Sequence, residues 1–420
     1  MSYDFETERS RELAERLQQV LPGGDTRTGT FYDPYPLAIV RGSGYRLWDI
    51  DGNEFIDCLN NFTSLVHGNV APAIVEALRA QAELGTAFGA PHELQAEVAE
   101  RIRDRVASVE QVRFTNSGSE AIMLAVRAAR AFTGRSEIVK AHGGYHGFWE
   151  QVPMTFGSPG IPEEVRGLVH EVDFNDEAGL ANVMAEHGDR IAALIVEPVM
   201  TAAGVIEGTG EFLSAAHRLA DKNDALLILD EIVTLRLDHG GYQAVVGLRP
   251  DLTAFGKIIG GGLPVGAVGG RADVLAIFDP RRPDHIVHSG TFNGNAVTLA
   301  AGRASLDLLT EDEIARINAL GSRLARRLSE TIPEAVITSC GSLIQLHFET
   351  GHEIRRYRDT NIASETLARF HHAALAEGVM IASRGLLNLS TAMDEAVVDD
   401  VADRLARAAS RIGSPLTAQA

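Results

Sequence analysis

Cysteine is almost absent from this 420-residue sequence, in which Cys58 and Cys340 are the only two. Such a pair offers neither a disulfide framework nor a metal-ligand cluster, so a reducing compartment is expected and no metal is. Positive charge is also short, since 38 Lys and Arg stand against 57 Asp and Glu for a formal net charge of −19. A field of that sign repels nucleic acid and anionic membrane alike. Long apolar runs are missing, and the charged N-terminus shows no apolar signal-peptide region, so the expected location is cytoplasmic. A G-x-G-x-x-G opening a helix after a first strand, with an acidic partner farther on, is missing too, which argues against a nicotinamide enzyme. The sequence shows no internal repeat and no low-complexity linker. What remains is a soluble small-molecule protein, longer than one ordinary domain and with 45% hydrophobic residues to bury.

One stretch, residues 226–270, concentrates the chemistry. Residues 226–229 read as a short buried strand ending on Asp230 and Glu231. Residues 252–255 read as another, ending at Gly256 and Lys257 and followed by Gly260, Gly261, Gly262 and Gly266. Residues without side chains would let backbone approach a planar ligand closely. A protonated lysine amine is a poor nucleophile, but one desolvated or held near a cation condenses with an aldehyde to give a Schiff base. Pyridoxal phosphate supplies such an aldehyde, and a fixed carboxylate keeps its pyridine nitrogen protonated. Lys257 and Asp230 are the catalytic candidates. Taken singly, the aspartate could equally cap the next helix and the lysine solvate a loop.

The combined pattern D-E-x…G-K-x-x-G-G-G resembles the core of the class III (ω-) aminotransferases of fold type I, and the resemblance covers almost the whole chain. It implies an α/β fold with a large domain on a mostly parallel seven-stranded sheet and a small α+β domain built from both chain ends. It also implies pyridoxal 5′-phosphate as cofactor, with Lys257 as the Schiff-base lysine and Asp230 as partner of the pyridinium. The domain boundaries read as 1–91 for an N-terminal helix and small-domain segment, 92–313 for the large cofactor-binding domain and 314–420 for the C-terminal small domain.

Other candidates follow along the chain. Residues 6–20 carry leucines and a valine at helical spacing, and residues 39–57 alternate around two turn signals as an antiparallel meander would. His67, in a loop expected near the mouth of the site, reads as catalytic or as a packed histidine. Residues 111–115 form a strand that runs into Asn116-Ser117-Gly118-Ser119-Glu120 before an alanine-rich helix. Free N–H groups, hydroxyls and a positive helix end make a phosphate cradle, although Ser-x-x-Glu is also an ordinary capping box. By resemblance, Ser117, Gly118 and Ser119 bind the cofactor phosphate and Tyr145 stacks on its ring. His146 contacts the ring surroundings or the substrate. Glu197 ends the apolar run 191–196, at the carboxyl edge where doubly wound sheets bind ligands, and by resemblance lies near the phenolic oxygen. Ile232 packs under the ring face opposite Tyr145. Arg236 meets a substrate carboxylate or an ion-pair partner within its own loop. Residues 288–295 match H-x-G-T-[FY], whose threonine, here Thr291, reaches the phosphate of the neighbouring subunit's cofactor and so implies a homodimer with shared sites. The polar segment 351–361 is expected to be exposed.

Two subfamilies share these motifs, the β-amino-acid (β-phenylalanine-type) aminotransferases and the glutamate-1-semialdehyde aminomutases. PGGDTR before FYDPYPLAI, LRLDHGG after Asp230 and SRG before the last helix look closer to the first. There an arginine at the position of Arg27, and another at that of Arg384, is associated with the substrate carboxylate. Two guanidiniums on different loops could serve donors of different carboxylate-to-amine spacing. The expected activity is ping-pong transamination from a β-amino acid to a keto acid such as 2-oxoglutarate or pyruvate. Intramolecular amino transfer of the aminomutase type and amino-acid racemisation use the same groups, and a non-catalytic binding protein on the same scaffold is the reading from outside enzymology.

Overall fold

The computed structural model describes residues 3–155, 157–350 and 353–413, and these fall into two compact units. One comprises Pro72–Ala315 together with Arg355–Arg358, and the other the described residues before Pro72, those of 316–354 and those from Asp359 onward.

The first unit is built on a seven-stranded sheet. Its strands in chain order are β1 (Gln111–Thr115), β2 (Glu137–Ala141), β3 (Val169–Val172), β4 (Ile191–Val196), β5 (Leu226–Asp230), β6 (Leu252–Gly256) and β7 (Gly266–Gly270). They lie side by side in the order β1-β7-β6-β5-β4-β2-β3. Strand β7 runs antiparallel to both neighbours and the remaining pairs are parallel, so the sheet is mostly parallel as the resemblance implied. Every residue of β4, β5 and β6 is buried, which is why these segments are mostly apolar rather than alternating. Helix Gly118–Thr133 buries Ile122, Ala125, Val126 and Ala129 in one cluster with Ile138, Ile195, Ile228 and Ala254 of the strands. Its small residues allow close packing of helix on sheet.

This topology decides where the functional side chains meet. Strands β1, β2, β4, β5 and β6 share one direction, so their carboxyl ends open on the same edge. The ends of these strands and the loops that leave them carry Ser117–Ser119, Tyr145–His146, Glu197, Asp230 and Lys257 respectively.

Three glycines around Lys257 are places of close approach within the chain. A side chain on Gly266 would stand 2.0 Å from the Ser117 carbonyl, one on Gly260 2.5 Å from Val265, and one on Gly261 2.5 Å from the Ala301 carbonyl. They allow close packing within the chain, fixing the strand after Lys257 against the segment around Ser117 and the helix Ala296–Leu308. The bare positions are filled from within the chain.

In the second unit, Ile39–Ser43, Arg46–Asp49 and Glu54–Asp57 form the expected antiparallel meander, and Val379–Met380 joins it in parallel. Ala335–Cys340, Leu343–Phe348 and Leu386–Asn388 make a second, antiparallel sheet. Phe348, Phe370, Leu324, Leu328, Val401 and Leu405 form its core with the helices Glu365–Ala376 and Glu395–Ile412. Both cysteines are buried and unbridged. No helix among the described residues is long and apolar enough to cross a membrane.

Candidate active site

The two neighbouring carboxylates at the end of β5 face different surroundings. Glu231 is fully buried and accepts hydrogen bonds from the Thr234 hydroxyl at 2.7 Å and from the N–H groups of Tyr242 and Gln243, both at 2.8 Å. It ties down the start of helix Tyr242–Val246. Asp230 instead accepts from the Ile232 N–H at 3.1 Å on one oxygen and pairs with His146 Nδ1 at 2.8 Å on the other. It is 5% exposed, which leaves it open only to something lodged at the sheet edge.

His146 takes its place through this contact. It is 1% exposed, so a proton on Nδ1 points at Asp230, while its buried Nε2 has no hydrogen-bond partner. The third acid of the cluster, Glu197, receives the Tyr145 N–H at 3.0 Å and the Thr201 N–H at 3.3 Å. Burial lifts its carboxyl from 4.5 to about 7; the Asp230 charge pushes the same way and His146 opposes it. Thr201, whose hydroxyl also approaches Glu197 at 3.4 Å, carries no motif that sequence reading could have caught.

At the end of β1 the Ser/Gly loop forms a capping box. Ser117 caps the helix, its Oγ accepting the Glu120 N–H at 3.2 Å, while Glu120 accepts the Asn116 N–H at 2.7 Å. Ser119 Oγ accepts the Phe148 N–H at 2.9 Å. Each hydroxyl, having accepted, keeps its own proton to donate. The N–H groups of Gly118 and Ser119 belong to the first turn and have no carbonyl behind them in the helix. A cradle of donors at the positive helix end results. Ile232 lies against it, since a side chain on Gly118 would come within 2.6 Å of Ile232 Cδ1.

Tyr145 is half exposed and hangs between these anchors, pinned by its N–H to Glu197 and by the following segment to Ser119. Lys257 stands at the carboxyl end of β6 with φ of 49°, a left-handed conformation that a side-chain-bearing residue adopts at a cost of about 1–2 kcal/mol. Thr291 lies on an exposed loop tied back through Asn293, which accepts from Asn116 at 2.7 Å. Arg236 requires a correction. It is 0% exposed on the short turn Thr234–Arg236, and burial lowers its guanidinium to about 9. A side chain with no surface cannot receive a substrate carboxylate.

Arg27 and Arg384 belong to the second unit. Arg27 donates to Asn61 Oδ1 at 3.0 Å and its guanidinium lies 5.6 Å from the centre of the Phe62 ring. Arg384 lies 5.8 Å from the centre of the same ring. Two arginines that are 357 positions apart in the sequence thus converge on one aromatic side chain. Phe62 sits in a run of four left-handed residues, Asn60, Asn61, Phe62 and Thr63, with φ between 47° and 75°. Nothing in the local sequence announces it, since such a run lacks glycine. A cavity of about 680 Å³ opens beside them, walled by Leu13, Leu17, Phe31 and Met380 as well as Arg27 and Phe62. His67 is buried in this unit with Nδ1 3.0 Å from the Thr391 hydroxyl, so the packed reading holds.

Away from the edge, Glu137, His170 and His187 bring ligand atoms within 4.8 Å of one another. Arg190 already holds the second Glu137 oxygen at 3.2 Å and contacts His187, so a guanidinium takes the cation's place.

The family model of class III aminotransferases matches residues 29–408. The glutamate-1-semialdehyde 2,1-aminomutase of Methanothermobacter thermautotrophicus is 39% identical over 89% of this chain and 91% of its own. An ω-transaminase from Sphaerobacter thermophilus superposes with a TM-score of 0.92 at 38% identity, covering 96% of this chain and 97% of that one. A β-phenylalanine aminotransferase from Variovorax paradoxus does so with 0.89 at 36% identity, over 96% and 94%. The chain belongs to the class III aminotransferase family and has the fold of the type I pyridoxal-phosphate transferases.

Proposed function

We propose that this enzyme moves an amino group from a β-amino acid to a keto acid such as 2-oxoglutarate or pyruvate, in two half-reactions. The cofactor is pyridoxal 5′-phosphate, which supplies an aldehyde to take up the amine and a ring to accept the electron pair left when a proton departs. The residues present fit such a group. Donors from Ser117, Gly118 and Ser119 suit a phosphate, the buried Asp230 braced by His146 suits a protonated ring nitrogen, and the packed side chain of Ile232 lies beside both. By the resemblance, Tyr145 would stack on the ring and Glu197 would join its hydrogen-bond surroundings.

Lys257 would hold the cofactor through its amine and, when free, would serve as the base that moves a proton from the amine-bearing carbon. Asp230 would pair with the ring nitrogen, its second oxygen held in place by His146. Arg27 and Arg384 take the carboxylate of the donor or of the acceptor. The convergence of both arginines on Phe62 is the observation that supports a carboxylate-bearing substrate.

The active form is a homodimer in which Thr291 of each chain completes the phosphate site of the other. Leu84, Phe88, Phe148, Val287 and Phe292 of the first unit are exposed apolar side chains, Phe148 by 96%, and a second copy would cover them. Sedimentation at twice the 45.1 kDa chain mass is expected.

A second reading, intramolecular transfer on glutamate-1-semialdehyde, is favoured by the names of relatives at 35–43% identity. One experiment separates the two. Purified holoenzyme is mixed with β-amino acids, α-amino acids, plain amines or the semialdehyde while its visible band is followed and products are identified. Bleaching by a β-amino acid with release of its keto acid, and recovery on adding 2-oxoglutarate or pyruvate, supports transamination. Reaction with the semialdehyde alone, giving 5-aminolevulinate without an external acceptor, establishes the aminomutase.

A further inference from the structure

The segment Arg355–Arg358 was expected to be an exposed loop, yet the chain leaves the second unit after Ile354, contributes these four residues to the first, and returns at Asp359. It is fastened there at three points. Arg358 Nε meets Asp173 Oδ1 at 2.8 Å, Arg356 meets the other oxygen at 3.3 Å, and the Arg355 carbonyl accepts from Asn175 Nδ2 at 2.9 Å. Asp173 follows directly on β3, so the strap is anchored at the edge of the sheet. Between the two arginines, Tyr357 turns inward, its ring 5.4 Å from that of His142. It rests on Gly143, where any side chain would stand 2.2 Å from Tyr357 Cγ.

Gly143 opens the loop that presents Tyr145 and His146. Three glycines in that loop, Gly143, Gly144 and Gly147, give it little stiffness of its own. Its far end is pinned where Gly147 lies against Ser119, a side chain there coming within 2.2 Å of the hydroxyl. The near end is pinned by the His142 N–H on the Val172 carbonyl at 2.8 Å and by the Tyr357 ring. We infer that the strap Arg355–Arg358 is a positioning element for the cofactor, with Tyr357 acting through Gly143 to set the height of Tyr145. This rests on the cofactor reading above. The arginine–Asp173 pairs, exposed on the arginine side by 49% and 60%, do not hold much individually; they keep the ring in register.

The test is cofactor retention in holoenzyme carrying Tyr357→Ala, Tyr357→Phe or Asp173→Asn. Dissociation constants come from the visible band on dilution, and the visible circular dichroism per bound cofactor reports the asymmetry imposed on the ring. Tyr357→Ala should raise the constant at least about fivefold and weaken the dichroic band, and Tyr357→Phe should stay within about twofold of the parent on both counts. Asp173→Asn should fall between. A folded Tyr357→Ala holoenzyme with the parent's constant and dichroism overturns the inference. If that variant does not fold, an Asp173→Asn holoenzyme indistinguishable from the parent overturns it equally. Failure of the parent protein itself to bind pyridoxal phosphate would instead remove the cofactor reading, so the two failures are distinct.

Discussion

Replacing Glu197 with glutamine should stabilise the cofactor-free protein in alkaline solution and do little in mild acid. Burial raises this carboxyl from 4.5 to about 7, the nearby Asp230 adding to the lift, so the folded state holds the Glu197 proton more tightly than the unfolded chain does. The native state is then the more protonated one between those values, and stability falls as pH rises through that window and levels off above it. At roughly 1.4 kcal/mol per pH unit, the ionised carboxylate costs about 3 kcal/mol at about pH 8.5 and under about 1 kcal/mol at about pH 5. Glutamine removes that cost. Its oxygen still accepts the Tyr145 N–H, while its NH₂ faces the Thr201 N–H and loses a hydrogen bond, a penalty of about 1 kcal/mol that does not change with pH. The quantity to measure is therefore the difference in melting temperature between variant and parent at the two pH values. It should be several degrees more favourable at the higher one, as expected for about 2–3 kcal/mol in a unit of this size. A difference independent of pH, or one favouring the variant in acid, would refute the burial argument.

Three further outcomes are expected. Lys257→Ala should abolish the half-reaction by at least about 10³-fold while the protein remains folded, because the lysine is both attachment point and base; bleaching by donors at the parent rate would remove it from the mechanism. Arg27→Ala should lower kcat/KM for a carboxylate-bearing donor about 10- to 100-fold and leave the matching plain amine nearly unchanged, the loss of one charge-assisted contact; equal losses would show that Arg27 acts only through the fold. Gly266→Ala should destabilise the first unit by at least about 2 kcal/mol, because the new methyl meets the Ser117 carbonyl at 2.0 Å and neither backbone can yield cheaply; a melting temperature like the parent's would contradict that packing.

What the sequence disclosed was whatever is decided locally. Fully apolar runs became buried strands because both faces of the sheet are covered, and the residue following each run therefore arrives at the carboxyl edge, as Glu197, Asp230 and Lys257 do. The capping box at Ser117–Glu120 formed for the same local reason. Features that depend on distant partners stayed hidden. The His146–Asp230 pair joins residues 84 apart, Phe62 meets arginines from both ends of the chain, and the docking of Tyr357 needs a glycine more than 200 positions upstream. Arg236 misled because a charged residue shortly after a strand normally faces water, and here it does not. The glycines after Lys257 were correctly seen as places of close approach, but local pattern does not say what approaches.

Strand β7 has one more consequence, for the order in which the molecule assembles. Three of its five residues are glycine, and it lies antiparallel between two strands that are more than 130 residues apart in the chain. With only Ala267 and Val268 to distinguish its faces, its side chains specify register weakly. Alignment must come from the ladders on either side, Gly266 opposite both Gly256 and Thr115, so both neighbours have to be in place first. That makes β7 a closing strand. The long-range closure that seats it also brings the end of β6, with Lys257, beside the end of β1, with the phosphate loop. Slow, non-local pairing and completion of the cofactor site are then one event, and a nascent chain acquires its chemistry only when its sheet is finished.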